Sequence, residues 1–191
     1  LSTNVGIACW EWPSYMDPEK KVNGISIVTS PYNQFENPLY SNNKIIGTYV
    51  NSIMALHDAI ERGSDEALLL DSNENISEGS GENLFIVKDE ELITPTPDNC
   101  LNGITRQSII KIAQDENIDV IEKKLKYEDL VDADEAFFTG TAVEVTPISK
   151  VDETTIGDSM IGPITKKLQK IFTDTVTNKN KKYAHWLDPI N

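Results

Sequence analysis

Lys44 is the residue of this sequence best placed for covalent chemistry. Ile45 and Ile46 follow it directly, and Gly47 and Tyr49 lie close by. A lysine flanked by β-branched residues at a strand edge can be drawn into an apolar site. Desolvation there lowers its pKa and frees the amine for nucleophilic work. On these residues alone, a lysine that reaches out to water is the commoner outcome. Three loops combine glycine with hydroxyl or acidic residues: SEGSGEN at 77–83, GITR at 103–106 and GTA at 140–142. Two of them have the form needed to hold a phosphate. Gly103 permits close backbone approach, and Thr105 then opens a helix whose free N–H groups and positive dipole end would face an anion. Gly140 and Thr141 follow a strand and add a backbone and a hydroxyl donor. A Gly-Ile-Thr start more often serves as a simple helix cap. Neither loop has Walker spacing or a following lysine, which argues against a P-loop nucleotide enzyme.

Other chemistries fit less well. Asp71, Asn73, Asn75, Ser77 and Glu82 fall at the spacing of an EF-hand calcium loop. However, Ile76 occupies the place of the sharp-turn glycine, Glu78 that of the inward apolar residue, and no helix leads in. A non-catalytic calcium-binding module is therefore a minor alternative. There is no serine nucleophile elbow, no HExxH and no paired-histidine site. His57 and His185 are isolated, and His57 is expected as a core residue on the inner face of a helix. Cys9 and Cys100 are too few and too far apart for a disulfide framework or a zinc site. They read as small apolar fillers in a reducing cytosol, and no metal site is expected.

The net charge of −14 argues against nucleic acid and anionic membrane surfaces as partners. With 191 residues, 39% of them hydrophobic, the chain can bury a substantial core. No apolar run approaches a membrane span and no charged-then-apolar leader opens the chain, so a cytoplasmic location is expected. The first residue is Leu1 rather than methionine, and a processed or truncated chain is expected.

Period and punctuation predict the elements that must position these residues. Strands are expected over 5–12, 24–30, 67–70, 119–121, 135–138 and 143–151, with a hairpin of 84–87 and 92–94 across 88–91. The stretch 30–43, rich in Asn, Pro, Ser and Tyr, reads as an ordered loop, and 71–83 as a polar stretch. Helices are expected over 50–62, with Val50, Ile53, Met54 and Ile60 inward and Gly63 as the stop. Others are expected over 105–116, with Ile109, Ile110, Ile112 and Ala113 inward, and as a turn over 127–131. A last helix starts at Gly162 and Pro163 and buries Ile164, Leu168, Ile171 and Phe172. The tail 178–182 reads as surface, with Tyr183 and Trp186 packed back on the body. A mixed α/β (α+β) sheet follows, without a strict βαβ beat.

Taken in order, these pieces resemble the fold-type IV pyridoxal-phosphate enzymes, and among them the branched-chain amino acid aminotransferases. The matching stretches are KIIGTYVNS at 44–52, ISEGSGENLF at 76–85, LNGITR at 101–106, FFTGTAVEVTPI at 137–148 and IGPITKKLQKIF at 161–172. The resemblance covers essentially the whole chain. It implies a large cofactor-binding domain of the D-amino-acid-aminotransferase-like fold, with a small N-terminal domain absent. The cofactor would be pyridoxal 5′-phosphate, held as a Schiff base by Lys44, which would also shuttle the substrate's Cα proton. Glu78 would face the pyridine nitrogen, Tyr49 the 3-oxygen, and Leu101 would pack on the ring. Gly103, Ile104, Thr105 and Thr141 would hold the phosphate. Gly140, Thr141 and Ala142 would stand near the substrate carboxylate.

The reaction implied passes the amino group of a branched-chain L-amino acid (Leu, Ile or Val) to 2-oxoglutarate, in a homodimer. A D-amino acid aminotransferase or an aminodeoxychorismate lyase would use the same lysine and glutamate. Two departures stand out. Thr48 occupies the place of the asparagine in the family's Lys-x-x-Gly-Asn-Tyr pattern. The arginine that the small domain supplies to the phosphate has no counterpart, since the sequence's two arginines, Arg62 and Arg106, lie elsewhere.

Overall fold

A computed structural model describes residues 4–11, 16–98 and 100–188. The strands, in chain order, are β1 (Ile25–Thr29), β2 (Glu66–Leu70), β3 (Ile76–Gly79), β4 (Asn83–Lys88), β5 (Glu91–Thr94), β6 (Val120–Glu122), β7 (Glu135–Gly140), β8 (Glu144–Val151) and β9 (Thr154–Thr155). The helices are α1 (Lys20–Asn23), α2 (Pro38–Ser41), α3 (Tyr49–Glu61), α4 (Ile104–Asp115), α5 (Tyr127–Val131) and α6 (Pro163–Val176). Short 3-10 turns cover Ile46–Thr48 and Lys181–Trp186. One mixed sheet runs β3-β2-β1-β8-β7-β4-β5-β6, with β9 added to β8. β1 is parallel to both β2 and β8, whereas β7 is antiparallel to β8 and β4.

Both faces of this sheet are covered, which explains why its middle strands read as continuous apolar runs. Leu84, Ile86 and Phe138 point into one core with Ile27, Leu68, Leu125 and Leu130. Phe85, Val87 and Phe137 point the other way, toward Ile109 and Ile112 of α4 and Leu168 and Phe172 of α6. Phe85 and Phe137 are cross-strand partners whose rings stack 5.1 Å apart, a pairing that adds to the area they bury. Tyr183 returns to the second core and stacks on Trp186, as expected of the tail.

Local chemistry sets the element ends. At the end of α3, Ser64 N–H donates to Ala59 C=O and Gly63 N–H to Ile60 C=O, with Gly63 at φ 79°. This is the Schellman closure for which a glycine is suited. The β4–β5 hairpin turns through Asp89 and Glu90, both at positive φ, as a two-residue primed turn demands. α6 begins with Pro163, and its second and third amides donate to the carboxylate of Glu135, 3.0 Å from Ile164 N and 2.7 Å from Thr165 N.

Several expectations need correction. Residues 4–11 form no strand and lie exposed, and 12 falls outside the described residues. α3 is helical where expected but faces the other way. It buries Ala55 and Ala59 against Val28, Ala67 and Leu69, and leaves Val50, Ile53, Met54 and Ile60 about half or more exposed. Small residues let a helix lie close on a sheet, and packing distance outweighed side-chain size. His57, roughly 200° around the helix from Ala55 at about 100° per residue, is therefore exposed beside Glu61, not a core histidine. The polar stretch 71–83 contains β3, and the loop 30–43 contains α2. Among the described residues no helix is long and apolar enough to cross a membrane.

Candidate active site

The site lies where β3, the β3–β4 turn and the loop before α4 meet the segment around Lys44. Lys44 ends the turn that precedes the 3-10 turn Ile46–Thr48, is not on a strand, and is exposed at the wall of a cavity. Its Nζ stands 5.6 Å from the centre of the Tyr49 ring. Tyr49, at the start of α3, lines the same cavity with Glu78, Glu82, Asn83 and Leu101. Lys44, Tyr49, Glu78 and Leu101, each singled out in the sequence, are thus brought together.

Glu78 projects from β3 and is held on three sides. Its Oε2 accepts the Leu101 N–H at 3.0 Å and faces Asn83 Nδ2 at 3.4 Å, while Gln34 Nε2 donates to Oε1. Burial pushes the Glu78 carboxyl up to about 7, against the pull of the Leu101 amide, Gln34 and Lys44. Asn83 Nδ2 also donates to Leu101 C=O at 2.7 Å. Both backbone groups of Leu101 are therefore committed, and its side chain is fixed at the cavity wall.

A second cavity of about 360 Å³ adjoins the first and shares Lys44, Gly81, Asn83 and Leu101 with it. Gly103, Ile104 and Thr105 line it on one side, Gly140 and Thr141 on the other. Gly103 is the N-cap of α4, in extended backbone and with no side-chain cap. The first-turn amides of α4 open toward this space, the arrangement that binds phosphate or carboxylate. A Cβ on Gly103 would come 2.4 Å from Asn83 Oδ1, which is why glycine stands there. Arg106, fully buried beneath this turn, ties it down: its guanidinium donates to Asn102 Oδ1 at 3.0 Å, Pro95 C=O at 2.9 Å and Glu122 Oε2 at 2.6 Å. Ala142 lies exposed in the β7–β8 turn beside Thr141 and lines neither cavity.

A larger space of about 750 Å³ lies on the far side of Ile104 and Thr105, against Phe172 and Trp186. Glu144 is the acidic group on its wall, and it lacks the lysine and buried carboxylate that make the first two cavities chemically capable. The calcium-loop spacing does not assemble. Asp71 spends its carboxylate on the Asn73 and Asn75 amides, 2.9 and 2.8 Å away, Ser77 is buried in β3, and Glu82 turns toward Glu66. Among the described residues no group of acidic, His or Cys side chains converges as metal ligands.

The amino-transferase class IV family model matches residues 6–151. The chain belongs to the class IV aminotransferases. Within that family it is 44% identical to the branched-chain-amino-acid aminotransferase of Pseudomonas aeruginosa, over 97% of this chain and 61% of that protein. It is 40% identical to the enzyme of that name from Escherichia coli K12, over 100% of this chain and 62% of that one. Its backbone superposes with a TM-score of 0.91 on the T.th. branched-chain amino acid aminotransferase crystallised with pyridoxamine 5′-phosphate. The identity there is 39%, over 95% of this chain and 60% of that one. The chain thus spans about three-fifths of the length of these class IV relatives.

Sequence reasoning missed two residues of the site, Gln34 and Asn83, as well as Glu66 behind it, and it read Glu82 only as a calcium-loop ligand. Asn83 and Glu82 lie within the SEGSGEN stretch, so a signal existed. Gln34 sits in a featureless loop and Glu66 at a strand start, with no local pattern to mark them.

Proposed function

We propose that this chain is the large, cofactor-holding domain of a branched-chain amino acid aminotransferase that uses pyridoxal 5′-phosphate. The observation that carries this reading is the junction of two cavities, one walled by Lys44, Tyr49 and Glu78, the other by the open first turn of α4 and Thr141. The donor set fits the group: a helix start for the phosphate, an amine for the aldehyde carbon, and a buried carboxylate for the ring nitrogen.

Bound pyridoxal phosphate supplies an electron sink for the charge left at a substrate Cα when its proton departs. Lys44 would be the covalent attachment point and, once freed, the base that takes this proton and returns it. Glu78, with a carboxyl already pushed up to about 7, would share a proton with the ring nitrogen and so keep the sink effective. Tyr49 would offer its hydroxyl to the ring oxygen, and Leu101 would pack on the ring. Gly103, Ile104, Thr105 and Thr141 would hold the phosphate, and Gly140 and Thr141 would stand near the substrate carboxylate, with Ala142, which lines neither cavity, contributing only through the backbone of the adjoining turn. The amino group passes from Leu, Ile or Val to 2-oxoglutarate.

The chain's share of its relatives' length supports a further small domain that completes the pocket. The exposed apolar residues Val50, Ile53 and Met54 of α3 support a homodimer, to be checked by sedimentation. Borohydride treatment of the cofactor-loaded protein, with its small domain restored, is expected to fix the cofactor on Lys44. An adduct on another lysine, or none, overturns the reading. Faster turnover of D-alanine than of leucine would keep the cofactor chemistry and reject the substrate.

A further inference from the structure

Glu66 and Glu82 are two buried carboxyl groups that the reaction above does not use. Glu66 opens β2 and Glu82 ends the β3–β4 turn, and both are almost fully shielded from solvent. Glu66 Oε1 accepts the Ala67 N–H at 2.7 Å and the Ser80 N–H at 3.3 Å. Its Oε2 is buried and meets no donor among the described residues. Glu82 Oε2 accepts the Gly81 N–H at 2.9 Å, and Glu82 C=O accepts the Gly79 N–H at 2.7 Å. The two carboxyl groups face each other within hydrogen-bonding reach. Two ionised carboxylates cannot share such a space, because neither is solvated and each repels the other. One proton resolves both difficulties: carried by Glu82, it gives Glu66 Oε2 the donor it lacks.

We propose that Glu66 and Glu82 hold a single proton between them, and that this proton fixes residues 80 and 81 as the shared wall of the two cavities. Glu82 is then a positioning residue. Each carboxyl also holds one amide of that turn, Ser80 for Glu66 and Gly81 for Glu82, so the shared proton clamps the turn from both sides. Gly81 lines both cavities and Ser80 the one walled by Tyr49 and Glu78, which links the clamp to the site. The charged groups acting on Glu82 are Glu66 from β2 and Glu78 from β3, with Lys44 across the cavity. β7 presents Phe138 and Gly140 to the turn. Burial, reinforced by the charges of Glu66 and Glu78, pushes Glu82 up to about 8. The clamp is therefore closed at neutral pH and opens in mildly alkaline solution.

The test needs no cofactor and stands apart from the aminotransferase reading. Infrared spectra of the chain are expected to contain a protonated-carboxyl stretch that persists at neutral pH and is lost with a midpoint of about 8. Glu82→Gln and Glu66→Gln each abolish this component, because an amide then donates to the carboxylate that remains, and leave only the separate component of Glu78, whose midpoint is about 7. Glu78→Gln leaves the band, with its midpoint lowered. The backbone amide resonances of Ser80 and Gly81 are expected to shift with the same midpoint in the unaltered chain, a readout that survives should a variant fail to fold. A component with a midpoint of about 8 that persists in Glu82→Gln overturns the proposal, as do Ser80 and Gly81 resonances that stay still through that range.

Discussion

Replacing Glu78 with glutamine should remove a pH-dependent cost that the folded chain now carries. Burial raises this carboxyl from its ordinary 4.5 to about 7. The unfolded chain releases the proton near the ordinary value and the folded chain keeps it until about pH 7, so the folded state binds more protons across that window. Stability therefore falls as pH rises through the window and levels off above it. At about 1.4 kcal/mol for each pH unit, the full loss is about 3 kcal/mol. Because part of the Glu78 side chain faces the cavity, water reduces this to about 2–3 kcal/mol. Glutamine has no ionised form and escapes the loss. The assay is urea unfolding of both chains without cofactor, near pH 5 and again near pH 8. The variant should gain about 2–3 kcal/mol on the parent between the two conditions. Glu66 and Glu82 titrate in both chains and largely cancel. The remaining coupling acts in the same direction, since a neutral residue 78 eases the ionisation of Glu82. A gap between the two chains that changes by less than about 0.5 kcal/mol would refute the argument that burial dominates at Glu78.

Three further outcomes follow from packing and backbone geometry. Gly103→Ala should cost about 1–3 kcal/mol through contact of the new Cβ with Asn83 Oδ1. Thermal unfolding of the Asn83→Ala double variant should show the two losses to be less than additive. Glu135→Ala removes the acceptor for two amides at the start of α6 and should cost about 1–2 kcal/mol by urea unfolding; an unchanged midpoint would show the cap to be idle. Glu90→Gly places glycine at a position of φ 66° in the β4–β5 turn and should stabilise the chain by about 0.5–1 kcal/mol in thermal unfolding.

The sequence by itself determined the features that rest on near neighbours. The stop at Gly63, the hairpin across 88–91, Pro163 at the start of α6 and the bounds of α5 are all set by residues within a turn of one another. Their physical causes, allowed φ values and the alternation or helical spacing of apolar residues, act over a few positions and can be read there. Lys44 and the loops at 103–105 and 140–142 were also legible as candidates from short motifs, whereas Glu78 stood out only through the family resemblance.

Only the tertiary structure decided which of these residues meet, and what each is worth once they do. β3 forms inside a polar stretch because β2 offers it a ladder. α3 turns its alanines inward because the sheet beneath it demands close approach. Gln34 reaches Glu78 from a loop 44 residues away, and Glu66 meets Glu82 across two strands. Burial sets the ionisation of these acids, and burial is a property of the assembled sheet that no local stretch of residues contains.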